Sequence, residues 1–361
     1  GTPESVLGDA QRALAALAPL ADGERCAALG RWFDERVAVL APQLARRRAA
    51  GRVREGHGDL HLDNVLVAQG EVTAFDCIEF DPALRWIDVM NDLGYLLMDL
   101  LAHGRRDLAY GVLDAYLETS GDFDGLAVLP LFVVYRAVVR ALVHALRSAA
   151  HVPGNGLTAA DYLRLAERLA EPGAPRLLLT HGLPGSGKTR VSQQLLERAG
   201  AVRLRSDVER KRMAGLAALA DSSVVGDLYG AAGTEATYAR LESLARDTLR
   251  AGYPTIVDAA FLRRDERDRM RLLAAELQVP FGILDCRAPM PVLRERVRGR
   301  RAAGGDASEA DEAVLDKLAG AAQPLAADER AWAIEVRTDE PLAVAALLGR
   351  WQTAAVPRLP T

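Results

Sequence analysis

THGLPGSGKTR, residues 180–190, decides how this 361-residue chain is read. The stretch fits the phosphate-binding pattern G-x-x-x-x-G-K-[ST] at Gly182, Gly187, Lys188 and Thr189. Each residue type has a physical task. Gly182, Gly185 and Gly187, with Ser186 among them, let the backbone curl so that successive N–H groups point at phosphate oxygens. Lys188 reaches the β- and γ-phosphates, and the Thr189 hydroxyl ligates Mg²⁺. The flanks agree with this reading. RLLLT before the loop is a short apolar run, as a buried strand is; VSQQLLERAG after it has helical spacing and ends on a glycine stop. A glycine-rich turn that matched by chance would lack this strand–loop–helix setting. This half of the chain is expected to bind a nucleoside triphosphate.

Outward from the loop, apolar runs and helical patterns alternate. RLLLT, AVRLR, PTIVDAA, PFGILDC and WAIEVR read as strands, with helices near 188–199, 231–251, 264–277 and 289–322. Such alternation means a parallel sheet covered by helices on both faces. Upstream, AEPGAP at 170–175 punctuates the chain, so the expected division is 1–170, a linker at 171–175, and 176–361. The first half is mainly helical: residues 5–50, then Trp86 to Ala170, with NVLVA and VTAFDCIEF as strand-like runs about a Gln-Gly turn at 69–70. The net charge of −4 excludes a globally basic nucleic-acid coat, while local arginine clusters can still grip phosphates. Cys26, Cys77 and Cys286 show no metal spacing and read as buried thiols of a reducing cytoplasm. No apolar run reads as long enough to span a bilayer, so no membrane partner is expected.

Other polar residues narrow the chemistry. Asp207 falls just past the second strand-like run, at the carboxyl edge of the sheet where such folds bind ligands. It either accepts the proton of an attacking hydroxyl or caps a helix that begins there. Arg210 follows at three-residue spacing, on the same helical face, as a substrate contact. Asp258 ends the run TIVD, as a Mg²⁺-positioning carboxylate does or as a turn aspartate does. Arg296 and Arg300 lie four apart before the flexible RAAGGDASEAD. They either close over a triphosphate or form a solvated basic face.

GLPGSGKT, RSDVERKR, VDAAF and RERVRGR together resemble the P-loop kinases of small phosphotransferase type, among them polynucleotide 5′-kinases, zeta toxins, gluconate kinases and chloramphenicol phosphotransferase. The resemblance covers about 175–352. It implies ATP and Mg²⁺ as cofactors, Asp207 as general base, Arg296 and Arg300 as lid arginines, and a hydroxyl acceptor that it does not name. Nucleic acid enters only as a 5′-hydroxyl substrate.

HGDLHLDN at 57–64 resembles the catalytic loop of aminoglycoside phosphotransferases and choline kinases, H-G-D-x-x-x-x-N. That resemblance implies Asp59 as a second proton acceptor, with Asn64 and Asp76 (from FDCIEFD) as metal ligands and Asp88 and Asp92 on the following helix. His57 and His61 read as turn residues. In such enzymes an N-terminal lobe supplies a phosphate-gripping lysine, yet the first lysine here is Lys188. Either this kinase-like half is degenerate, or Gly1 starts a fragment whose upstream lobe was removed; a start at Gly1 without a methionine favours the fragment.

The fold class expected is α/β: a helical kinase-like C-lobe followed by a P-loop domain, similar to bacterial fusions of aminoglycoside-phosphotransferase-like and P-loop ATP-binding parts. The function expected is ATP-dependent phosphoryl transfer through the C-terminal half. The rival readings are a small-molecule kinase acting at Asp59 and a nucleotide-switched regulatory ATPase.

Overall fold

Local signals set the first helices. Thr2 caps α1 (Pro3–Leu17) in a reciprocal box with Ser5, and Pro3 sits where a missing N–H costs nothing. Asp22 caps α2 (Gly23–Ala49), whose last turn carries Arg46, Arg47 and Arg48 against the helix dipole. The computed structural model describes residues 1–151, 156–221, 228, 230–303 and 307–358. They fall into two units: Gly1–Leu113 with Asp124–Pro172, and Asp114–Phe123 with Gly173–Thr361.

In the first unit, β1 (Val53–Glu55) awaits an antiparallel partner 30 residues on, while β2 (Val65–Ala68) and β3 (Glu71–Ala74) form a hairpin. Gln69 and Gly70 both hold positive φ, 54° and 85°, which matches hairpin twist. The second strand-like run stops at Ala74, earlier than its sequence suggests. Phe75 N there donates to Asn64 O and Ile78 N to His57 O, so the chain leaves its ladder to bond the 57–64 loop. β4 (Trp86–Asp88) then pairs with β1. Helices α3 (Val89–Ala102), α4 (Arg106–Ser120, whose residues from Asp114 on belong to the second unit), α5 (Leu129–Ala149) and α6 (Ala159–Ala170) follow.

Helix α5 is the core of this unit, packed by α1, α3 and α6. It corrects one expectation. With 21 residues and a mean hydropathy of 1.6, α5 is long and apolar enough to cross a membrane. Its apolar length is spent on packing: Val134, Ala137, Val138 and Ala141 are fully buried. A second correction concerns Cys77, which is exposed, whereas Cys26 and Cys286 are buried.

The second unit is built on one five-stranded parallel sheet. Its elements run β5 (Leu177–His181), α7 (Lys188–Ala199), β6 (Val202–Arg205), α8 (Ser206–Met213), α9 (Ala231–Arg250), β7 (Thr255–Asp258), α10 (Arg264–Glu276), β8 (Phe281–Arg287), α11 (Met290–Ala303), α12 (Glu312–Ala321), β9 (Ala333–Arg337) and α13 (Val344–Gln352). Strand order is β6-β7-β5-β8-β9. Leu177, Leu178 and Leu179 are fully buried because helices cover both faces, which is why central strands read as unbroken apolar runs. Edge strand β9 alternates instead. The expected 289–322 helix is two helices, α11 and α12.

Candidate functional site

Parallel order places the carboxyl ends of β6, β7, β5 and β8 side by side, and the polar residues read from sequence sit on those ends. The loop after β5 needs its glycines. Gly182, Gly185 and Gly187 hold φ of 142°, 80° and 82°, conformations that side chains resist. Lys188 opens α7 and folds back, its Nζ donating to Gly182 O and Leu183 O, both at 2.9 Å. Burial lowers its pKa, opposed by Asp258, Cys286 and Asp207 nearby. An ammonium has three N–H groups, so two bonds leave one donor for a ligand.

Asp258, the last residue of β7, is buried; its carboxylate accepts from Ser192 Oγ at 3.1 Å and Thr180 Oγ1 at 3.3 Å. Asp207 lies in the first turn of α8. The cap position there is Arg205, and no side chain caps the helix, so the capping alternative for Asp207 is overturned. Arg296 bonds the loop through Gly185 O at 3.3 Å and Thr338 through its hydroxyl at 2.9 Å and its carbonyl at 2.8 Å. Arg300 donates to Ala310 O at 3.0 Å. Lys188, Asp207, Asp258, Arg296 and Arg300, with Thr189 and Arg210, line one cleft of about 830 Å³, whereas Gly182 and Ser186 stand behind its wall.

The 57–64 loop of the first unit is held differently. Asp92 accepts from His57 N at 2.7 Å and Gly58 N at 2.8 Å, and His57 Nε2 meets Phe75 O at 2.8 Å. Asp88 caps α3 and takes a two-pronged bond from buried Arg47, both contacts 2.8 Å. Asp59 faces His61 at 3.3 Å. Burial would raise its carboxyl, but His61, Tyr95 and Arg136 outweigh burial and hold it below the ordinary range. Asn64 turns its amide onto Asp59, at 3.0 Å to the carbonyl and 3.2 Å to Oδ2. Asp76 is exposed with φ 60°. Among the described residues no three His, Cys, Asp or Glu side chains gather as a metal cluster in either unit.

Residues 3–129 match the family model described as the phosphotransferase enzyme family, and residues 177–325 match the one described as an AAA domain. The chain joins a phosphotransferase-family domain to an AAA-family domain. It is 31% identical over 284 residues to uncharacterized proteins of Mycobacterium tuberculosis (strain H37Rv) and Mycobacterium bovis, covering 78% of this chain and 57% of theirs. The chain thus spans little more than half the length of those relatives. Among solved structures it is similar to a putative kinase from Chloroflexus aurantiacus (23% identity, 50% of this chain and 98% of that one, TM-score 0.38). It is also similar to a gluconokinase from Sinorhizobium meliloti (19% identity, 50% and 90%, TM-score 0.33). The two family matches support a nucleotide-binding phosphotransferase.

The AAA-family domain contributes cleft residues that the sequence reading missed. Thr338, just past β9, donates its hydroxyl to Ser186 O at 2.8 Å and so clasps the loop from the edge strand of the sheet. Tyr238 of α9 is buried, and its hydroxyl accepts from Phe261 N at 3.2 Å. Beside it Glu266 has its carboxyl pushed up by burial. Lys317 of α12 also lines the cleft. No local pattern marks these residues, because each reaches the cleft from a different element.

Proposed function

We propose that the AAA-family domain transfers the γ-phosphate of ATP to a hydroxyl group of a small acceptor. The observation that carries this reading is convergence: Lys188, Asp207, Asp258, Arg296 and Arg300, drawn from three strand ends and helix α11, line a single cleft. The acceptor hydroxyl gives its proton to Asp207 as its oxygen bonds to the γ-phosphorus. The bond from that phosphorus to the β,γ-bridging oxygen breaks, and ADP leaves with the electron pair. Lys188, Arg296 and Arg300 oppose the charge that gathers on the phosphoryl oxygens.

The donor set fits Mg²⁺. That cation keeps several waters and takes few protein ligands, so one hydroxyl (Thr189) and one carboxylate (Asp258) suit it without an acidic cluster. Bound there, it would neutralise phosphate charge. A cytoplasmic setting suits the exposed free thiol of Cys77.

The test is transfer from γ-labelled ATP into sugars, aminoglycosides, nucleosides and 5′-hydroxyl oligonucleotides, comparing the unmodified chain with Lys188→Ala and Asp59→Ala. Product lost only in Lys188→Ala is expected. Product lost only in Asp59→Ala overturns the assignment.

A further inference from the structure

Behind Thr189 and Asp258 lies a buried arginine that the phosphotransfer step does not use. Arg203 belongs to β6, is 4% exposed and does not line the cleft. One end of its guanidinium meets an acidic pair four residues apart on α4: Nη2 donates to Asp114 Oδ2 at 2.6 Å and to Glu118 Oε1 at 3.1 Å. These carboxylates offset the cost of burying the charge. The other end enters the start of α7, where Nη1 donates to Thr189 O at 3.3 Å and to Ser192 Oγ at 3.4 Å. A planar fork with separate nitrogens reaches both sets of acceptors; a single ammonium does not. All of these residues belong to the second unit.

Counting protons shows what the inner end does. Ser192 carries one hydroxyl proton and has two acceptors in reach, Thr189 O and Asp258 Oδ2, both at 3.1 Å. A helical serine readily turns back onto a carbonyl of the preceding turn. Here Arg203 already supplies that carbonyl with an N–H and makes the serine oxygen an acceptor, which leaves the hydroxyl proton for Asp258. The carboxylate depends on it. Its other hydroxyl neighbour, Thr180, stands at 3.3 Å and has a nearer acceptor in Ala259 O at 2.7 Å. Ser192 is fully buried, so bulk water does not stand in for it.

We propose that Arg203 is a positioning residue for Mg²⁺: by occupying Thr189 O it directs the Ser192 proton onto Asp258 and so fixes the carboxylate that would hold the metal. This rests on the reading of Thr189 and Asp258 as the metal pair. Arg203 touches neither of the side-chain oxygens offered to the metal; it acts through Ser192 and through the backbone of Thr189.

The test measures binding of a fluorescent, non-hydrolysable ATP analogue to the whole chain, once with saturating Mg²⁺ and once in EDTA. The ratio of the two affinities is the gain due to metal. Partners that orient a ligating carboxylate are worth about 10- to 100-fold in metal affinity, so the gain should fall by about that factor in both Ser192→Ala and Arg203→Lys, while affinity in EDTA holds. The lysine keeps the charge opposite Asp114 and Glu118, so its thermal midpoint should stay near that of the unmodified chain. Where it does not fold, Arg203→Gln with Asp114→Asn removes both charges of the closest pair and should show the same fall. Ser192→Ala combined with the Arg203 change should fall no further than Ser192→Ala alone, because the arginine works through that hydroxyl. An unaltered gain, an equal loss with and without Mg²⁺, or losses that multiply in the combined variant would each overturn the inference. The underlying readings fail differently. No gain from Mg²⁺ in the unmodified chain refutes the metal pair and this inference with it. The expected fall in gain, with no labelled product from any acceptor, refutes phosphoryl transfer and leaves the role of Arg203 standing.

Discussion

Gly185→Ala tests whether the loop and α11 form one nucleotide-binding surface. Gly185 holds φ 80°, and an added Cβ would stand 2.7 Å from Leu293 O and 3.2 Å from Leu293 Cα. The left-handed conformation costs a non-glycine residue about 1–2 kcal/mol. The clash adds to this, because the obstacle is helix backbone that cannot rotate away; displacing the loop by part of an ångström costs on the order of 1–2 kcal/mol more. Arg296 bonds Gly185 O, so the displacement also drags that guanidinium from its place. A total of about 2–4 kcal/mol corresponds to ATP binding weakened about 30- to 700-fold. Fluorescence titration with a labelled ATP analogue and Mg²⁺ measures it. The control is Gly299→Ala on α11, where the new methyl meets nothing within 4 Å. Replacing an exposed mid-helix glycine should raise stability by about 0.5–1 kcal/mol and leave ATP binding as it was. Affinity within about threefold of the unmodified chain for Gly185→Ala would refute the reasoning.

Three further outcomes follow from other groups. Asp207→Asn keeps the shape but removes the proton acceptor, so transfer should fall about 10²- to 10⁴-fold while analogue affinity changes less than about twofold; a parallel loss of both would make Asp207 a binding residue only. Arg267 bonds Glu329 at 2.6 and 3.0 Å with both side chains buried, so Arg267→Met strands a charge. Urea unfolding should show a loss of about 3–5 kcal/mol, largely recovered in Arg267→Met with Glu329→Gln, whereas a loss below about 1 kcal/mol contradicts the pair's isolation. Burial would raise the carboxyl of Asp285, but His181 at 2.7 Å and Arg287 at 2.8 Å outweigh it and hold it below its ordinary value. A depressed folded pKa stabilises above the unfolded value and loses that contribution as pH falls through the folded one. The melting-temperature deficit of Asp285→Asn should therefore be full at pH 7 and shrink below about pH 4; a deficit constant across that range would rule out ionisation as its cause.

The loop at 182–189 could be read from sequence because its meaning is local: glycines, lysine and hydroxyl act within one turn between one strand and one helix. The central strands were equally plain, since leucines buried on both faces leave no polar interruption. What stayed hidden depends on crossings. Thr338 follows a strand that ends some 150 residues after the loop it clasps, and nothing in TDEP marks it. Lys317 and Tyr238 belong to helices whose faces are chosen by packing, as Leu315 shows for α12. The length of α5 misled in the other direction, because a long, mostly apolar helix looks alike whether neighbours or lipid surround it. The early end of β3 came from bonds to the 57–64 loop, which are long-range partners that strand propensity ignores.

The hydroxyl of Thr338 has a consequence at the rim of the sheet. It ties Ser186 to a residue whose own amide closes on Arg287 O at 2.9 Å, so the loop and the β8–β9 edge share one chain of bonds. No residue of β9 lines the cleft. Holding the loop still should nevertheless damp opening at that edge. Deuterium uptake by the amides of Val336 to Thr338 will then slow when nucleotide is bound, giving a remote gauge of occupancy that requires no acceptor and no turnover.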